Sequence, residues 1–309
     1  MPLNLVTGGA GFIGSHIAEA LARRGEGVRV LDDFSAGSRD NLRGLEAKVE
    51  IIEGDLRNAG IVSRAVEGVD VIFHQAAFVS VPASMESPQL CYQVNVAGTV
   101  NVLEAARQAG VKRIVIASSA AVYGNSDSLP LPENTPLKPL SPYAISKRMG
   151  EMLVEFYARV YELPVVALRY FNVYGPRQSP DSQYAAAIPI FIRRRLAGQP
   201  VTIFGDGKQI RDFIFIGDVV RANLLAADSA NAAGKAYNIC TGRETTLLDL
   251  QETLDGIIPN GKPPQFAAPR EGDIFRSLGD PRLAKAAFGF EAQTGLAEGL
   301  QATADWMKA

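Results

Sequence analysis

Three glycines spaced three residues apart place the strongest constraint on the fold of this chain. They occur as Gly8-x-x-Gly11-x-x-Gly14, directly after the apolar run 3–7 and before residues 15–24, whose pattern predicts a helix. Glycine at these places permits a tight turn, close packing of helix on strand, and the approach of a pyrophosphate to the backbone. The helix N-terminus adds free N–H groups and a positive dipole. The pattern therefore predicts a strand–turn–helix unit that binds phosphate.

An acidic pair ends the second predicted strand. Asp32 and Asp33 follow the apolar run 27–31. A carboxylate at this place binds the ribose 2′-hydroxyl of NAD and repels the additional phosphate of NADP. The glycine pattern alone also occurs in plain strand–helix turns, but together with the strand and the acid it predicts bound NAD.

Short apolar runs alternate with helical patterns along the first half of the chain. Strands are predicted at 4–7, 28–32, 49–53, 69–74, 113–117 and 164–170, and the helices between them include 94–110 and 142–161. Strands that alternate with helices of this length form right-handed βαβ units. We therefore predict an α/β fold with a doubly wound parallel sheet, the Rossmann arrangement, over residues 1–170.

The pattern changes after Asn172. The turn-rich segment 175–181 breaks the alternation, a helix is predicted at 185–196, and strands are predicted at 201–204 and 212–216. We predict a smaller C-terminal substrate-binding lobe over residues 171–309, with the chain returning to the first lobe near 212–240.

Charge and composition argue against several classes of function. The formal net charge of −2 gives no electrostatic footprint for nucleic acid, and the basic run 193–195 is interpreted as the solvated edge of a helix. Cys91 and Cys240 are isolated, and His16 and His74 are interpreted as packing or hydrogen-bonding residues, so we expect no disulfide and no metal site. No apolar run approaches membrane-spanning length, so we expect no membrane partner. The first predicted strand begins so early that we expect no secretory signal and a cytoplasmic protein.

A tyrosine and a lysine lie four residues apart behind a helix-start signal. Ser141 can cap the helix, and Pro142 suits its first position. Tyr143 and Lys147 then share one face of the helix, because side chains at i and i+4 are neighbours. A nearby ammonium stabilises a phenolate, which makes Tyr143 a candidate general base near neutral pH.

These motifs occur in an order that resembles the extended short-chain dehydrogenase/reductase family, and within it the UDP-glucose 4-epimerase type. The matching segments are 7–14, 95–99, 118–119, 143–147, 169–172, 211–213 and 270–273, so the resemblance extends over nearly the whole chain. It implies an NAD-dependent isomerase that acts on a UDP-sugar.

The resemblance also assigns roles to individual residues. Ser119, Tyr143 and Lys147 match the catalytic residues. With the glycines and the acidic pair, the set expected to bind NAD is Gly8, Gly11, Phe12, Ile13, Gly14, Asp32, Asp33, Asp55, Leu56, Gln75, Ala76, Ala77, Asn95, Tyr143, Lys147 and Phe171. The set expected to bind the substrate is Ser119, Asn172, Arg211, Arg270, Asp273 and Ser277.

The two arginines of the substrate set allow two interpretations. Arg211 and Arg270 match groups that bind the diphosphate, and guanidinium groups make charge-assisted bonds with phosphate. Each arginine is also followed by an acid, Asp212 or Glu271, so a structural ion pair is the alternative.

Two alanines after the catalytic serine distinguish this chain from sugar-nucleotide dehydratases. Those relatives carry an Asp-Glu pair at this place, and the related decarboxylases keep the Glu, whereas this chain has Ala120 and Ala121. Alanine cannot transfer the second proton that elimination needs. The resemblance therefore implies interconversion of UDP-glucose and UDP-galactose by transient oxidation at C4.

Two alternatives remain open. A UDP-glucuronate 4-epimerase shares the segment 174–178, but it needs a cation for the sugar carboxylate; Ser179 offers none, and Arg177 is the candidate. A non-enzymatic NAD-binding regulator would need neither Tyr143 nor Lys147.

One position predicts the breadth of sugars accepted. Ser277 matches the place where epimerases restricted to plain sugars carry a tyrosine and epimerases that accept N-acetylated sugars carry a small residue. We therefore predict turnover of UDP-N-acetylglucosamine and UDP-N-acetylgalactosamine as well, although Ser277 is also placed to start a turn before Asp280.

An apolar stripe on the Tyr143 helix predicts a homodimer. The stripe consists of Met149, Met152, Leu153, Phe156 and Val160, and Tyr157 widens it. This is more apolar surface than packing on one sheet face requires. A helix buried within one subunit is the alternative.

Overall fold

A parallel sheet of seven strands organises the first part of the protein. The structure is a computed structural model, and it describes residues 1–45, 47–126, 128–180, 186–259, 261–269 and 274–308. The strands are β1 (Leu3–Thr7), β2 (Gly27–Asp32), β3 (Val49–Glu53), β4 (Val71–His74), β5 (Arg113–Ser119), β6 (Val165–Tyr170), β7 (Asn172–Tyr174), β8 (Thr202–Phe204), β9 (Ile210–Arg211), β10 (Phe213–Phe215), β11 (Ala236–Ile239), β12 (Thr245–Thr246) and β13 (Gln265–Ala267). The large sheet has the order β11-β6-β5-β4-β1-β2-β3.

Helices cover both faces of this sheet. They are α1 (Phe12–Arg23), α2 (Ala59–Val66), α3 (Val81–Glu86), α4 (Pro88–Tyr92), α5 (Gly98–Ala109), α6 (Pro142–Val160), α7 (Ala187–Leu196), α8 (Ile216–Asp228), α9 (Leu247–Ile257), α10 (Arg282–Phe288) and α11 (Leu296–Lys308). Helices α1 and α8 pack together on one face, and α2, α5 and α6 lie on the other. The predicted doubly wound parallel fold is confirmed.

The strand order reverses between β1 and β4. From β1 the chain proceeds to β2 and β3 on one side, and from β4 to β5 and β6 on the other. The helices therefore leave a crevice at the carboxyl ends of β1 and β4, which is where doubly wound folds bind ligands. The glycine turn follows β1 and the segment 75–77 follows β4, so both lie at this crevice.

A separate apolar cluster holds the C-terminal part together. Ile188 of α7, Leu250 of α9 and Leu300 of α11 are fully buried in it, beside Ile203 of β8. The chain also rejoins the large sheet, because β11 pairs in parallel with β6. The division into lobes at residue 170 stays a prediction.

Several predicted elements differ in their bounds from those observed, and two of the differences concern how an element begins or ends. The helix expected over 94–110 begins with a π-helical turn, Gln93–Ala97, and only then continues as α5. The strand expected over 212–216 is shorter, pairs in parallel with β7, and ends where α8 begins at Ile216. Both boundaries depend on tertiary contacts that a local pattern does not contain.

The interpretation of the basic run 193–195 as a solvated helix edge is wrong for one residue. Arg193 is exposed, but Arg195 is only 2% exposed. Its Nη2 donates to the carbonyl of Ile258 at 2.6 Å, and its Nη1 pairs with Asp255. The side chain is long enough to cross from α7 to α9, where it binds the C-terminal end of that helix.

The described ranges contain neither a helix long and apolar enough to span a membrane nor a cluster of three or more His, Cys, Asp or Glu side chains that could hold a metal ion.

The stripe on α6 is largely exposed. Met149, Met152, Phe156 and Val160 are 40–54% exposed. Tyr157, in contrast, is buried and donates its hydroxyl to Glu104 at 2.6 Å, so it does not widen the exposed surface. An exposed apolar patch of this kind usually marks an interface.

We expect the wild-type protein to sediment as a dimer at micromolar concentration. A Met152→Glu/Phe156→Glu variant should sediment as a monomer, because burying two carboxylates in an apolar interface is costly. Arg159→Ala, on the same helix, is the control and should stay dimeric. A wild-type monomer would contradict the homodimer prediction.

Candidate active site

The glycine turn leaves no room for side chains at two positions. Gly8 has a φ of 66°, and a Cβ there would lie 2.7 Å from the backbone nitrogen of Ala76. A Cβ on Gly14 would lie 2.1 Å from the carbonyl oxygen of Gly8. Gly11 is the N-cap of α1, so the first N–H groups of that helix face the crevice without a side chain from the cap. This geometry fits a pyrophosphate.

Asp32 is directed at the glycine turn. Its carboxylate accepts from the backbone N–H of Ala10 and of Phe34, each at 2.8 Å, and it is 7% exposed. Burial raises the pKa of Asp32, and the two N–H donors oppose that rise. Asp33 is exposed, and its carboxylate accepts from Ser35 instead. Asp32, more than Asp33, is therefore placed to meet a ribose at the end of β2.

We expect purified protein to carry NAD(H) rather than NADP(H). Asp32→Ser should raise the affinity for NADP relative to NAD by about tenfold or more, because it removes a like charge near the 2′-phosphate. Asp33→Ser should change the ratio much less. Extracting and identifying the bound nucleotide tests the first statement, and calorimetric titration tests the second. NADP(H) as the main extracted species would refute the role of Asp32.

The other predicted NAD residues lie along the same edge of the sheet. Gln75, Ala76 and Ala77 follow β4, Asp55 and Leu56 follow β3, and Phe12 and Ile13 form the first turn of α1. Asp55 pairs with Arg57, which lowers the pKa of its carboxyl, and Leu56 is buried. Gln75 is held by hydrogen bonds with Asn223 and Tyr170.

His74 is the first part of a hydrogen-bond connection between the end of β1 and α6, and its own partners are Thr7 of β1 and Thr99 of α5. The Thr99 hydroxyl donates to the carbonyl of Asn95 at 2.6 Å, so His74 Nε2 donates to Thr99 and Nδ1 accepts from Thr7 at 2.7 Å. Burial, and then the charge of Lys147, lower the pKa of His74 to about 3, which keeps the ring neutral. The interpretation of His74 as a hydrogen-bonding residue agrees with this geometry, although the sequence could not name its partners.

Asn95 completes this connection. Its Oδ1 accepts from the N–H of Phe78 at 2.7 Å, and its Nδ2 donates to the carbonyl of Phe78 at 3.0 Å and to Ser146 at 2.9 Å. Ser146 in turn donates to the carbonyl of Tyr143 at 2.7 Å. The amide therefore fixes the loop after β4 against α6.

Helix α6 begins as the sequence predicts. Ser141 is the N-cap and accepts from the N–H of Ala144 at 3.1 Å, and Pro142 follows at the first helical position. Ser84, which the sequence did not single out, accepts from the N–H of Tyr143 at 3.2 Å. Two side chains thus satisfy N–H groups in the first turn and fix Tyr143 in place.

The three predicted catalytic residues meet at the carboxyl end of β5. The Ser119 hydroxyl is placed to lower the pKa of the Tyr143 phenol, and it accepts from the N–H of Ala121 at 3.2 Å. Lys147 Nζ lies 5.8 Å from the centre of the Tyr143 ring and donates to the carbonyl of Ala117 at 2.9 Å. Burial raises the pKa of Tyr143, and Ser119 opposes the rise; burial lowers the pKa of Lys147 to about 8. Burial therefore opposes ionisation of the phenol.

A buried ion pair connects α6 with the neighbouring strands β5 and β6. Arg169 binds Glu151 through two bonds of 2.7 and 2.9 Å, and Ser118 donates to the same carboxylate at 2.7 Å. Glu151 lies one turn after Lys147 on α6. Arg169 belongs to the matching segment 169–172, but nothing in the local sequence pattern identifies Glu151 as its partner.

A cavity of about 580 Å³ lies in the C-terminal part of the protein. Of the predicted substrate residues, Asn172 and Arg211 line it, with Tyr174, Phe204 and Phe213. A guanidinium nitrogen of Arg211 donates to the carbonyls of Ile210 and Phe275 at 3.0 and 3.4 Å.

Of the remaining predicted ligand-binding residues, two lie within the described ranges. Ser277 is half-buried, with its N–H bound to the carbonyl of Ile210 at 3.0 Å. The side chain of Phe171 packs in an apolar cluster and is only 5% exposed, so little of it faces a ligand. Arg270 and Asp273 lie outside the described residues.

The sequence itself matches a known family over residues 4–240, the NAD dependent epimerase/dehydratase family. The chain belongs to this family. The geometry of the glycine turn and of Asp32 fits NAD, and NAD is the cofactor of this protein. It is therefore an NAD-dependent enzyme of the epimerase type, which agrees with the resemblance drawn from the motifs.

Relatives in the epimerase/dehydratase family are similar over their full length. The chain is 40% identical to the UDP-glucose 4-epimerase of Mycolicibacterium smegmatis over 308 residues, 98% of each protein. The crystal structure of UDP-glucose 4-epimerase from Thermotoga maritima with UDP-glucose has a TM-score of 0.94 and 39% identity, covering 99% of this chain and 98% of that one. The UDP-N-acetylglucosamine 4-epimerase of Methanobrevibacter ruminantium, in complex with UDP-N-acetylmuramic acid, has a TM-score of 0.95 and 35% identity, covering 99% and 98%.

Proposed function

We propose that this protein interconverts UDP-glucose and UDP-galactose, and also the corresponding N-acetylated pair, by transient oxidation at C4 of the sugar. The observation that supports the proposal is the group formed by Tyr143, Ser119 and Lys147 at the carboxyl end of β5, with Lys147 beside the segment 76–77 of the crevice expected to bind NAD. It supplies one proton shuttle beside a redox cofactor, which is what epimerisation needs.

Each catalytic side chain has a separate task. NAD, when bound, supplies hydride acceptance and hydride return. Tyr143 removes the proton from the 4-hydroxyl and later returns it, and Ser119 holds the same oxygen and relays the proton. Lys147 contributes positive charge that favours the phenolate, and the positive charge of the oxidised nicotinamide adds to it. Because the redox change is reversed within one turnover, the cofactor can stay bound.

The segment after Ser119 supports epimerisation over elimination of water. Ala120 and Ala121 form the 3₁₀ turn Ala120–Tyr123, directly after the catalytic serine. Neither side chain can act as acid or base. A dehydratase would need such a group beside the oxidised sugar.

The position of Arg177 favours an uncharged sugar over glucuronate. This arginine was the candidate cation for a sugar carboxylate. Its Nη2 pairs with Glu19 of α1 at 2.6 Å, and its Nη1 donates to Ser15 at 3.4 Å. The guanidinium therefore binds to α1, where a carboxylate already pairs with its charge. A non-enzymatic regulator is disfavoured because it would have no use for the half-buried Tyr143 and Lys147 pair.

We expect wild-type protein to turn over both UDP-galactose and UDP-N-acetylgalactosamine. Ser277→Tyr should lower kcat/KM for the N-acetylated sugar by about tenfold or more, because added bulk penalises the larger substituent. The plain sugar should lose far less. Ser277→Ala is the control and should retain both activities.

A coupled assay with the four UDP-sugars measures these ratios. Turnover of UDP-galactose without any turnover of UDP-N-acetylgalactosamine would remove the claim about breadth. Absence of turnover on all four would remove the proposed function.

A further inference from the structure

Asp212 lies between two residues that line the substrate cavity, but its own side chain is on the opposite side. Arg211 and Phe213 contribute to the cavity, whereas Asp212 has no exposed surface. Its carboxylate accepts four hydrogen bonds. The donors are Thr241 N at 2.8 Å, Thr241 Oγ1 at 2.7 Å, Gly242 N at 2.9 Å and Gly279 N at 3.3 Å. The expected alternative, an ion pair between this acid and its neighbouring arginine, is therefore not needed to satisfy the carboxylate.

The main chain of the same residue holds a second substrate element. The carbonyl of Asp212 accepts from the backbone N–H of Asn172 at 3.0 Å and from its Nδ2 at 3.3 Å. One residue thus connects β7, the loop after β11 and the segment that contains Ser277.

The segment 275–279 is bound to Ile210 as well as to Asp212. Ile210 binds the carbonyl of Phe275 at 2.9 Å and the N–H of Ser277 at 3.0 Å. Gly279 is packed so closely that a Cβ would lie 2.5 Å from Cys240 Sγ and 2.7 Å from the ring of Phe171. The bond from Gly279 to Asp212, together with the bond from Ser277 to Ile210, therefore ties Ser277 to the strand that contributes Arg211 to the cavity.

We infer that Asp212 is a positioning residue that sets Ser277 and Asn172 at a fixed separation and thereby determines sugar preference. The inference rests on the proposed function, since it concerns how the UDP-sugar is held. A carboxylate can accept all four bonds, while an amide offers one acceptor oxygen and presents N–H groups to other N–H groups. Burial raises the pKa of Asp212, and the four donors oppose the rise, as expected for a carboxylate solvated by backbone.

The test uses holoenzyme and variants of graded severity. Thr241→Val removes one donor, Thr241→Ser restores it, and Asp212→Asn disturbs the whole arrangement. Thr253→Val is the matched control, because it removes a hydroxyl bonded to a main-chain carbonyl on α9. KM and kcat are measured for UDP-galactose and UDP-N-acetylgalactosamine, with bound NAD and the melting temperature as further readouts.

A positioning role predicts a change in KM and in sugar preference. Thr241→Val should raise KM by about threefold or more and change the ratio of kcat/KM for the two sugars by a similar factor, as expected for one lost hydrogen bond. Bound NAD and kcat should stay close to wild type, and Thr241→Ser and Thr253→Val should behave as wild type. Asp212→Asn should change KM in the same direction by about tenfold or more, because it disturbs several bonds.

Two outcomes separate this inference from the proposed function. If wild type turns over both sugars while Thr241→Val lowers only the melting temperature, the positioning role is overturned and the proposed function stands. If wild type neither binds UDP in calorimetry nor turns over either sugar, the proposed function is overturned, and this inference with it.

Discussion

Tyr143→Phe is expected to lower kcat for UDP-galactose by about 10²- to 10⁴-fold, the range typical for loss of a general acid–base. The phenol acts on a proton in the transition state and contributes little to ground-state binding. The dissociation constant of UDP, measured by calorimetry on the NAD-loaded variant, should therefore change by less than about threefold.

A surface tyrosine provides the control for this substitution. Tyr161 is 45% exposed and lies just beyond the C-terminal end of α6. Tyr161→Phe should leave kcat unchanged. A Tyr143→Phe variant that retains most of its activity would show that another group carries the proton.

Lys147→Met is expected to lower kcat by about 10²-fold or more and also to weaken retention of NAD. The ammonium favours the phenolate, and it is placed beside the segment 76–77 where the nicotinamide ribose is expected. Lys112→Met is the control, because Lys112 is exposed and pairs with Asp70 on the surface. Unchanged kcat in Lys147→Met would refute the electrostatic role.

The pH dependence of kcat/KM tests the role of Lys147 independently. Because burial lowers the pKa of Lys147 to about 8, its ammonium loses its proton as the pH rises through about 8. We expect kcat/KM for UDP-galactose to decline above that pH. Lys147→Arg keeps its charge in this range and should not show the decline.

Local sequence signals were sufficient to predict the turn, the acidic residue and the helix start that form the site. The glycine spacing, the acid at the end of β2 and the Ser141–Pro142 start of α6 each depend on a few consecutive residues. Their geometry follows from turn sterics, helix capping and the period of the helix. The alternation of strands and helices then gives the parallel sheet and the crevice.

Such local signals could not predict contacts between residues that are far apart in the sequence. Arg177 meets Glu19 across 158 positions, and Glu151 meets Arg169 across 18, with both partners of the second pair buried. The sequence shows only the presence of each charge, and the fold determines which charge it meets. For the same reason Arg195 resembled a surface residue, although it is buried against α9.

The most direct test of the central claim follows a hydrogen isotope at C4 of the sugar. Wild-type enzyme is incubated with UDP-galactose that carries deuterium at C4, and the UDP-glucose formed is analysed by mass spectrometry and NMR. If hydride leaves C4 and returns to it within one turnover, the deuterium stays at C4 of the product in ordinary water. Loss of the deuterium to solvent, at a rate equal to product formation, would contradict transient oxidation at C4.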